Sequence, residues 1–411
     1  MTEPGGHRVG DRIAYHRKRL GLQQADFAAR VGRSESWVSQ VERGVRSIDR
    51  LSVLQTVADV LGVSLAELRE DITVEEERPV DRPQAIEELR LALSGHPALK
   101  ALLGREPVGV KDELATMRAA SEPVWMLVHE ARYAELAPIL ADLISTLERT
   151  VRLGPLDDRD DARRLLTDTY QAAAAMLAKI SENDAAWIAA DRAAIVAEQL
   201  SDPLLVAASL FRMAHVFISL RQLAQAHQVA QEAVHALEPV VTTDGQDSPV
   251  QAMSLYGAFH LVLAVVAARE NHRAEAQDHL NAAREVAAHL KGDRNDFGTE
   301  FGQTNVALHA VSIAVDLGDA GTALDLAQDV EPSQLSPERQ ARFLVDVARA
   351  QAMRRQIGEA FRSLERAEEI SPEQTHNLLT ATEVVRDLIQ LAGPHARPEL
   401  RAMADRFDVA P

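Results

Sequence analysis

The chain has 411 residues and no cysteine, so disulfides and thiolate metal sites are excluded. Hydrophobic residues make up 46% and aromatics only 4%, so any core rests on Ala, Leu and Val, which suits close-packed helices better than sheets. The net charge of −18 opposes a nucleic-acid partner until it is divided: residues 1–50 hold ten Lys/Arg and six Asp/Glu, and the other 361 hold 34 basic and 56 acidic residues. An acidic body repels a polyanion and leaves the basic head as the surface able to approach one. The N-terminus MTEPGGHRVGDR lacks the apolar stretch of a signal peptide, and the longest apolar run, 261–268, is too short to span a bilayer. A soluble, cytoplasmic protein with no membrane contact is expected.

In chain order, Ile13 and Leu20 mark one face of a first helix that Gly21 ends. Residues 24–31, QADFAARV, predict a short helix with Phe27, Ala28 and Val31 inward, broken by Gly32. Ser34 can cap a third helix running to about Glu42, with Val38 and Val41 buried. A fourth carries Leu51, Leu54, Val57, Ala58 and Leu61, and Ser64-Leu65-Ala66-Glu67 is a capping box opening a fifth. Two short helices across a glycine turn give helix-turn-helix geometry, with a small residue where they cross.

The segment GLQQADFAARVGRSESWVSQVERG resembles the Xre family of phage-repressor and Cro type, and the resemblance runs on through LSVLQTVADVLGVSLAEL. It implies that residues 1–70 form a five-helix DNA-binding domain. Gln24 would grip a phosphate together with its helix N-terminus. Glu35, Ser36 and Gln40 would face base edges: Gln40 suits adenine, Glu35 the cytosine amino group, and Ser36 is permissive. Arg43, Arg46 and Arg50 would meet phosphates, and Ser34, Trp37 and Ser39 complete the candidate DNA-contacting set. Trp37 also reads as packing against the first helix or a dimer partner, and Glu35 as favouring its helix dipole. Arg17 and Glu42 match an internal salt bridge of the family. Gln23 replaces the preferred Ser/Thr N-cap, and Ile48 a common loop proline.

Residues 71–83, DITVEEERPVDRP, form an acidic, proline-interrupted linker. From 84 to 411 helical periodicity dominates. Ser336-Pro337-Glu338 and Ser371-Pro372-Glu373-Gln374 place a serine N-cap before an N1 proline, and the second fits a capping box. An Ala-x3-(Ala/Leu)-x2-Ala pattern recurs at Ala186/Ala190/Ala193, Ala226/Ala230/Ala233, Ala276/Leu280/Ala283 and Ala360/Leu364/Ala367, with a weaker copy at Ala323/Ala327/Val330. Twelve residues before the four strong copies stand Ala174, Ala214, Ala264 and Ala348. The three–four spacing puts small residues on one helix face, where a neighbour can approach closely.

This pattern is similar to the tetratricopeptide repeat, best around Leu210, Met213, Ala214, Phe217, Ala226, Ala230 and Ala233, with Pro239 one place beyond the consensus proline, although copies are spaced unevenly and the consensus Trp and Gly are mostly missing. The expected fold is all-α: a five-helix helix-turn-helix domain followed by an α-solenoid of tetratricopeptide-like helix pairs. The resemblance places the first helix of each pair on a concave face, which puts Gln171, Phe211, His215, Arg269, Asn305 and Arg349 inward as candidate ligand-binding residues. Segments 239–250 and 291–298 read as surface loops or lids. Xre-type heads joined to such repeats occur in peptide-sensing Gram-positive regulators and in longer actinobacterial relatives.

No Gly-rich phosphate loop, His-Glu-x2-His or Gly-x-Ser-x-Gly motif occurs, so no enzyme activity, metal or cofactor is expected. The expected function is a sequence-specific transcription regulator or repressor. It would act as a homodimer on a palindromic double-stranded operator, with a peptide, small molecule or protein as effector. The alternative is a repeat-based scaffold with secondary DNA binding.

Overall fold

The computed structural model describes residues 9–19, 22–31, 33, 35–43, 57, 58, 60, 61, 83–95, 112–241, 249–332 and 335–409. These residues are helical and turn structure without a named strand, and the chain divides into two compact units, Met1–Arg82 and Pro83–Pro411.

In the first unit, α1 (Val9–Arg19), α2 (Gln24–Val31) and α3 (Glu35–Glu42) fold around a small core of Ile13, Phe27, Ala28, Val31, Val38 and Val41. Val57, Ala58 and Leu61 join the same core. Gly10 lets α1 touch α3: a Cβ there would lie 2.1 Å from the Val41 carbonyl oxygen. The bounds of α2 match those that the sequence spacing predicts. Leu20, Gly21, Gly32, Leu51, Leu54 and the fifth-helix capping box lie outside the described residues.

The second unit opens with α4 (Gln84–Ser94), α5 (Asp112–Ser121), α6 (Val124–His129) and α7 (Tyr133–Leu153). Five antiparallel pairs follow: α8 (Arg159–Lys179) with α9 (Asn183–Gln199), α10 (Pro203–Ser219) with α11 (Leu223–Val241), α12 (Val250–Arg269) with α13 (Arg273–His289), α14 (Gln303–Asp316) with α15 (Ala320–Ala327), and α16 (Pro337–Met353) with α17 (Ile357–Ile370). The short α18 (Pro372–Asn377), α19 (Leu379–Ala392) and α20 (Pro398–Arg406) end the unit.

Each pair turns in the same way. Ser181, Arg221, Asn271, Gly318 and Arg355 take positive φ, and the following amide bonds back to the carbonyl five residues earlier, at 2.8–2.9 Å, as in Gln222 to Phe217 and Asp319 to Ala314. This left-handed C-terminal cap satisfies a carbonyl that the helix end would orphan and sends the chain back antiparallel. Ala131 makes the same turn between α6 and α7. Only one of the five pair turns uses glycine, so the missing consensus glycines do not prevent the turn.

The small residues singled out by spacing are buried. Ala186, Ala190 and Ala193 in α9, Ala226, Ala230 and Ala233 in α11, Ala276 and Ala283 in α13, and Ala360 and Ala367 in α17 all face their neighbours, as do Ala174, Ala214, Ala264 and Ala348 in the partner helices. Gly257 in α12 accepts the buried Phe301 ring, whose Cζ would lie 2.0 Å from a Cβ. Helix α12 is long and apolar enough to cross a bilayer, although the apolar run 261–268 alone is not. Most of it (72%) is buried among its neighbours, as a core helix requires.

Three sequence expectations change. The loop expected from residue 239 starts later, because α11 continues through Pro239 to Val241. Ser336 and Ser371 stand at N-caps before N1 prolines, but neither side chain caps. The Ser336 hydroxyl turns to Glu300 at 3.3 Å; Gln374, the far member of the capping box, accepts the Tyr133 hydroxyl at 2.6 Å, and its neighbour Glu373 accepts the Tyr133 amide at 2.9 Å. An unforeseen cap forms at Asp202, whose carboxylate accepts the amides of Leu204 and Leu205.

Candidate nucleic-acid interface and the polar face of the helix pairs

The third helix is held from behind. Val38 and Val41 pin it to the core, and the Arg17 guanidinium locks its end: Nε and Nη2 donate to the two Glu42 carboxylate oxygens at 2.6 and 2.9 Å, and Nη1 donates to the Leu22 carbonyl at 2.6 Å. The pair is bidentate and buried. Burial works to raise the Glu42 pKa, but the hydrogen bonds from Arg17 and Gln24 leave it below the usual range. The Gln24 amide donates to Glu42 Oε2 at 2.7 Å, so one amide hydrogen of the proposed phosphate contact is engaged within the domain.

With its apolar side fixed, α3 turns Glu35 to solvent and leaves Ser39 and Gln40 half-buried at its flank. Arg43 is exposed just beyond, with Nε bonded to the Ser39 carbonyl. Trp37 is half-buried against the domain core, and the Arg33 guanidinium lies 5.7 Å from its ring centre. Ser34, Arg46, Arg50 and the Ser36 side chain lie outside the described residues.

In the second unit the six candidate ligand residues separate. Gln171 is buried between α8 and α10, donating to Ser209 at 3.0 Å. Phe211 is buried with its edge on Phe259, and Asn305 is buried and bonded to Arg339. These three serve helix-to-helix contact, because the packed face and the polar face are adjacent on one helix. His215 is half-buried beside Phe211. Arg349 pairs with Asp316 at 2.9 Å, and Arg269 approaches the same carboxylate at 3.6 Å.

The periodicity did not reveal how strongly charge crosses this face. Lys179 Nζ on α8 meets Glu338 on α16 at 2.8 Å, and Tyr133 Oη donates to Gln374 at 2.6 Å. Burial holds the Lys179 pKa below its ordinary value, against the pull of Glu338. Burial and nearby cations push His309 down to about 3, and His215 well below its usual range. The 291–298 loop candidate folds inward. Gly298 packs on Trp125, the Phe297 carbonyl accepts from Arg212 at 2.5 Å, and Glu300 just beyond receives Arg339 at 2.6 Å and His129 at 3.0 Å. Among the described residues no group of three His, Cys, Asp or Glu is arranged for a metal ion.

Residues 8–70 match a helix-turn-helix domain family. The N-terminal unit carries a helix-turn-helix domain. No curated protein matches the chain. Among solved structures it is similar to PlcR of Bacillus thuringiensis in complex with the peptide PapR7 and DNA, at 12% identity and a TM-score of 0.32, over 90% of this chain and 98% of that one. It is also similar to a point mutant of PrgX, at 10% identity and a TM-score of 0.24, over 85% and 96%.

Proposed function

We propose that the chain is a sequence-specific DNA-binding transcription regulator that acts by binding rather than by catalysis, in the cytoplasm. The observation that carries this reading is the mounting of α3 in a domain matched as helix-turn-helix. Val38, Val41 and the Arg17–Glu42 pair fix one side of the helix, and Glu35, Ser39 and Gln40 are left on the other. A helix fixed in this way can enter the major groove with its polar side leading.

On this reading the protein is a homodimer on a palindromic operator with half-sites about one helical turn apart, and the helix pairs bind the effector that shifts DNA affinity. An effector acts only through a difference in affinity for two conformations. Selection of bound sequences from a random DNA pool, followed by a salt titration on the winner, tests the proposal. Expected are a symmetric site and an affinity that falls steeply with salt. A flat salt response or no preference over random DNA overturns it. Gln40→Ala should cost about 1–3 kcal/mol of discrimination at one base pair in each half-site, read as relaxed selection there with folding intact.

A further inference from the structure

Residues 294–300 join α13 to α14, yet they are held by side chains of α6, α10, α12 and α16. Two arginines grip the backbone: Arg212 of α10 donates to the Phe297 carbonyl, and Arg339 of α16 to the Thr299 carbonyl at 2.8 Å. His129 of α6 clasps the side chains, with Nδ1 3.0 Å from the Glu300 carboxylate and Nε2 3.1 Å from the Asn295 amide nitrogen. Arg339 Nε reaches the same carboxylate at 2.6 Å. Gly298 takes a positive φ against the Trp125 indole, where a Cβ would come within 2.5 Å of the ring. Donors to alternate backbone carbonyls, an aromatic face and cations on a carboxylate are what a groove offers a bound peptide.

Beneath this strap lies a charged floor. Trp125 Nε1 donates to Asp168 of α8 at 2.7 Å, and the Arg212 guanidinium sits 4.7 Å from the indole centre. Arg212 is buried, and among the described residues its Nε has no partner. A buried charge with a donor unused is unfavourable in a permanent core and suits a site that is uncovered in use. The strap itself is strained and only partly seated. Phe297 and Glu300 are left-handed at φ 52° and 48°, a conformation that side chains resist unless their contacts impose it. Asn295 is exposed, and Phe297 is half-buried beside a cavity of about 250 Å³ that Leu204, Leu205 and Gln251 border. Only the far end is anchored in the core, where the Phe301 ring is buried against Gly257.

We propose that residues 294–300 are a tethered stand-in for a peptide: they fill a site formed by Trp125, His129, Arg212 and Arg339, and a free acidic peptide binds there by displacing them. The strap lifts about Phe301 while α12 and α14 stay packed. The contacts define the ligand class, with a backbone carbonyl for Arg212 and a carboxylate for Arg339 and His129. The tethered copy is present at high effective concentration, so it sets the level that a free peptide must exceed. The inference deepens the effector-sensing reading above, but the site is tested without DNA.

The probe is an end-blocked, fluorescently labelled peptide with the sequence of residues 294–301, RNDFGTEF, and a scrambled copy is the control. Fluorescence anisotropy follows its binding to full-length chains. Gly298→Val drives a side chain into the Trp125 ring and opens the strap. It should bind the probe at least about tenfold more tightly than the parent, because apparent affinity scales with the open fraction. Adding Arg212→Met should remove that gain. Should Gly298→Val fail to fold, Glu300→Gln takes its place, since it loosens the clasp without adding bulk, and the same direction of change is expected. A folded, opened chain that binds the probe no better than the parent does, or no better than it binds the scrambled copy, overturns the proposal. A gain in probe binding where the parent shows no operator preference leaves the strap standing and removes the regulator. Operator preference without any gain removes the strap alone.

Discussion

The two units treat charge in opposite ways. The N-terminal unit buries one ion pair and satisfies it, with both Glu42 oxygens receiving Arg17 and one also receiving Gln24. The repeat unit spreads charges from α8 to α16 over a shared face and leaves some of their capacity unused. Arg342 is unpaired among the described residues, and the buried Arg212 Nε has no partner. A satisfied pair fixes a shape, whereas unspent donors can be used by a ligand. On the proposed function, the reading element would need rigidity and the sensing element something left to bind with.

That contrast breaks most sharply at Glu42. Glu42→Ala strands a buried guanidinium, at a cost of about 3–5 kcal/mol, so the N-terminal unit should lose its melting transition while the repeat unit keeps its own. Replacing Arg17 with Met and Glu42 with Leu together should restore much of it, because no lone charge is then buried. Calorimetry of the three variants decides; a single variant as stable as the parent would remove the claim that this pair locks α3.

The repeat unit should instead respond to packing. Gly257→Ala drives a methyl into the Phe301 ring and should cost about 1–3 kcal/mol, seen as a lower denaturation midpoint for the second unit alone.

The unit should also respond to acid. His309, held at about 3, and His260, held at about 4, have folded pKa values below the unfolded value near 6.5. The unfolded chain then binds the extra protons. The stability they represent is complete above about pH 6.5 and is lost as pH falls toward 4, at up to about 1.4 kcal/mol per pH unit for each histidine. Midpoints measured across that window should fall for the parent and fall less steeply in His309→Asn, where His260 still contributes.

The smallest effect runs the other way. Asn271→Gly or Arg355→Gly relieves a left-handed residue in a pair turn and should add about 0.5–1 kcal/mol to the repeat unit. Denaturant midpoints would show it. A loss would mean that the side chain, rather than the turn, is what the position uses.

What was legible in the sequence is what short-range rules control. Residues 24–31 announce α2 because a glutamine start, inward Phe27, Ala28 and Val31, and a following glycine all act within one or two turns. The alanine stripes announce the helix pairs because close approach demands small residues at three–four spacing wherever it occurs. The basic head and acidic body can be counted directly.

What the tertiary structure alone decided is which partners a polar side chain finds. Gln374 looks like the far member of a capping box and instead accepts the Tyr133 hydroxyl, 241 residues away in the chain. Gln171 and Asn305 look like ligand contacts and are used between helices. Lys179 and Glu338, far apart in the chain, pair only because the fold brings α8 to α16. Helix periodicity is set by neighbours along the chain, but charge compensation is set by neighbours in space, and one sequence on its own does not specify those.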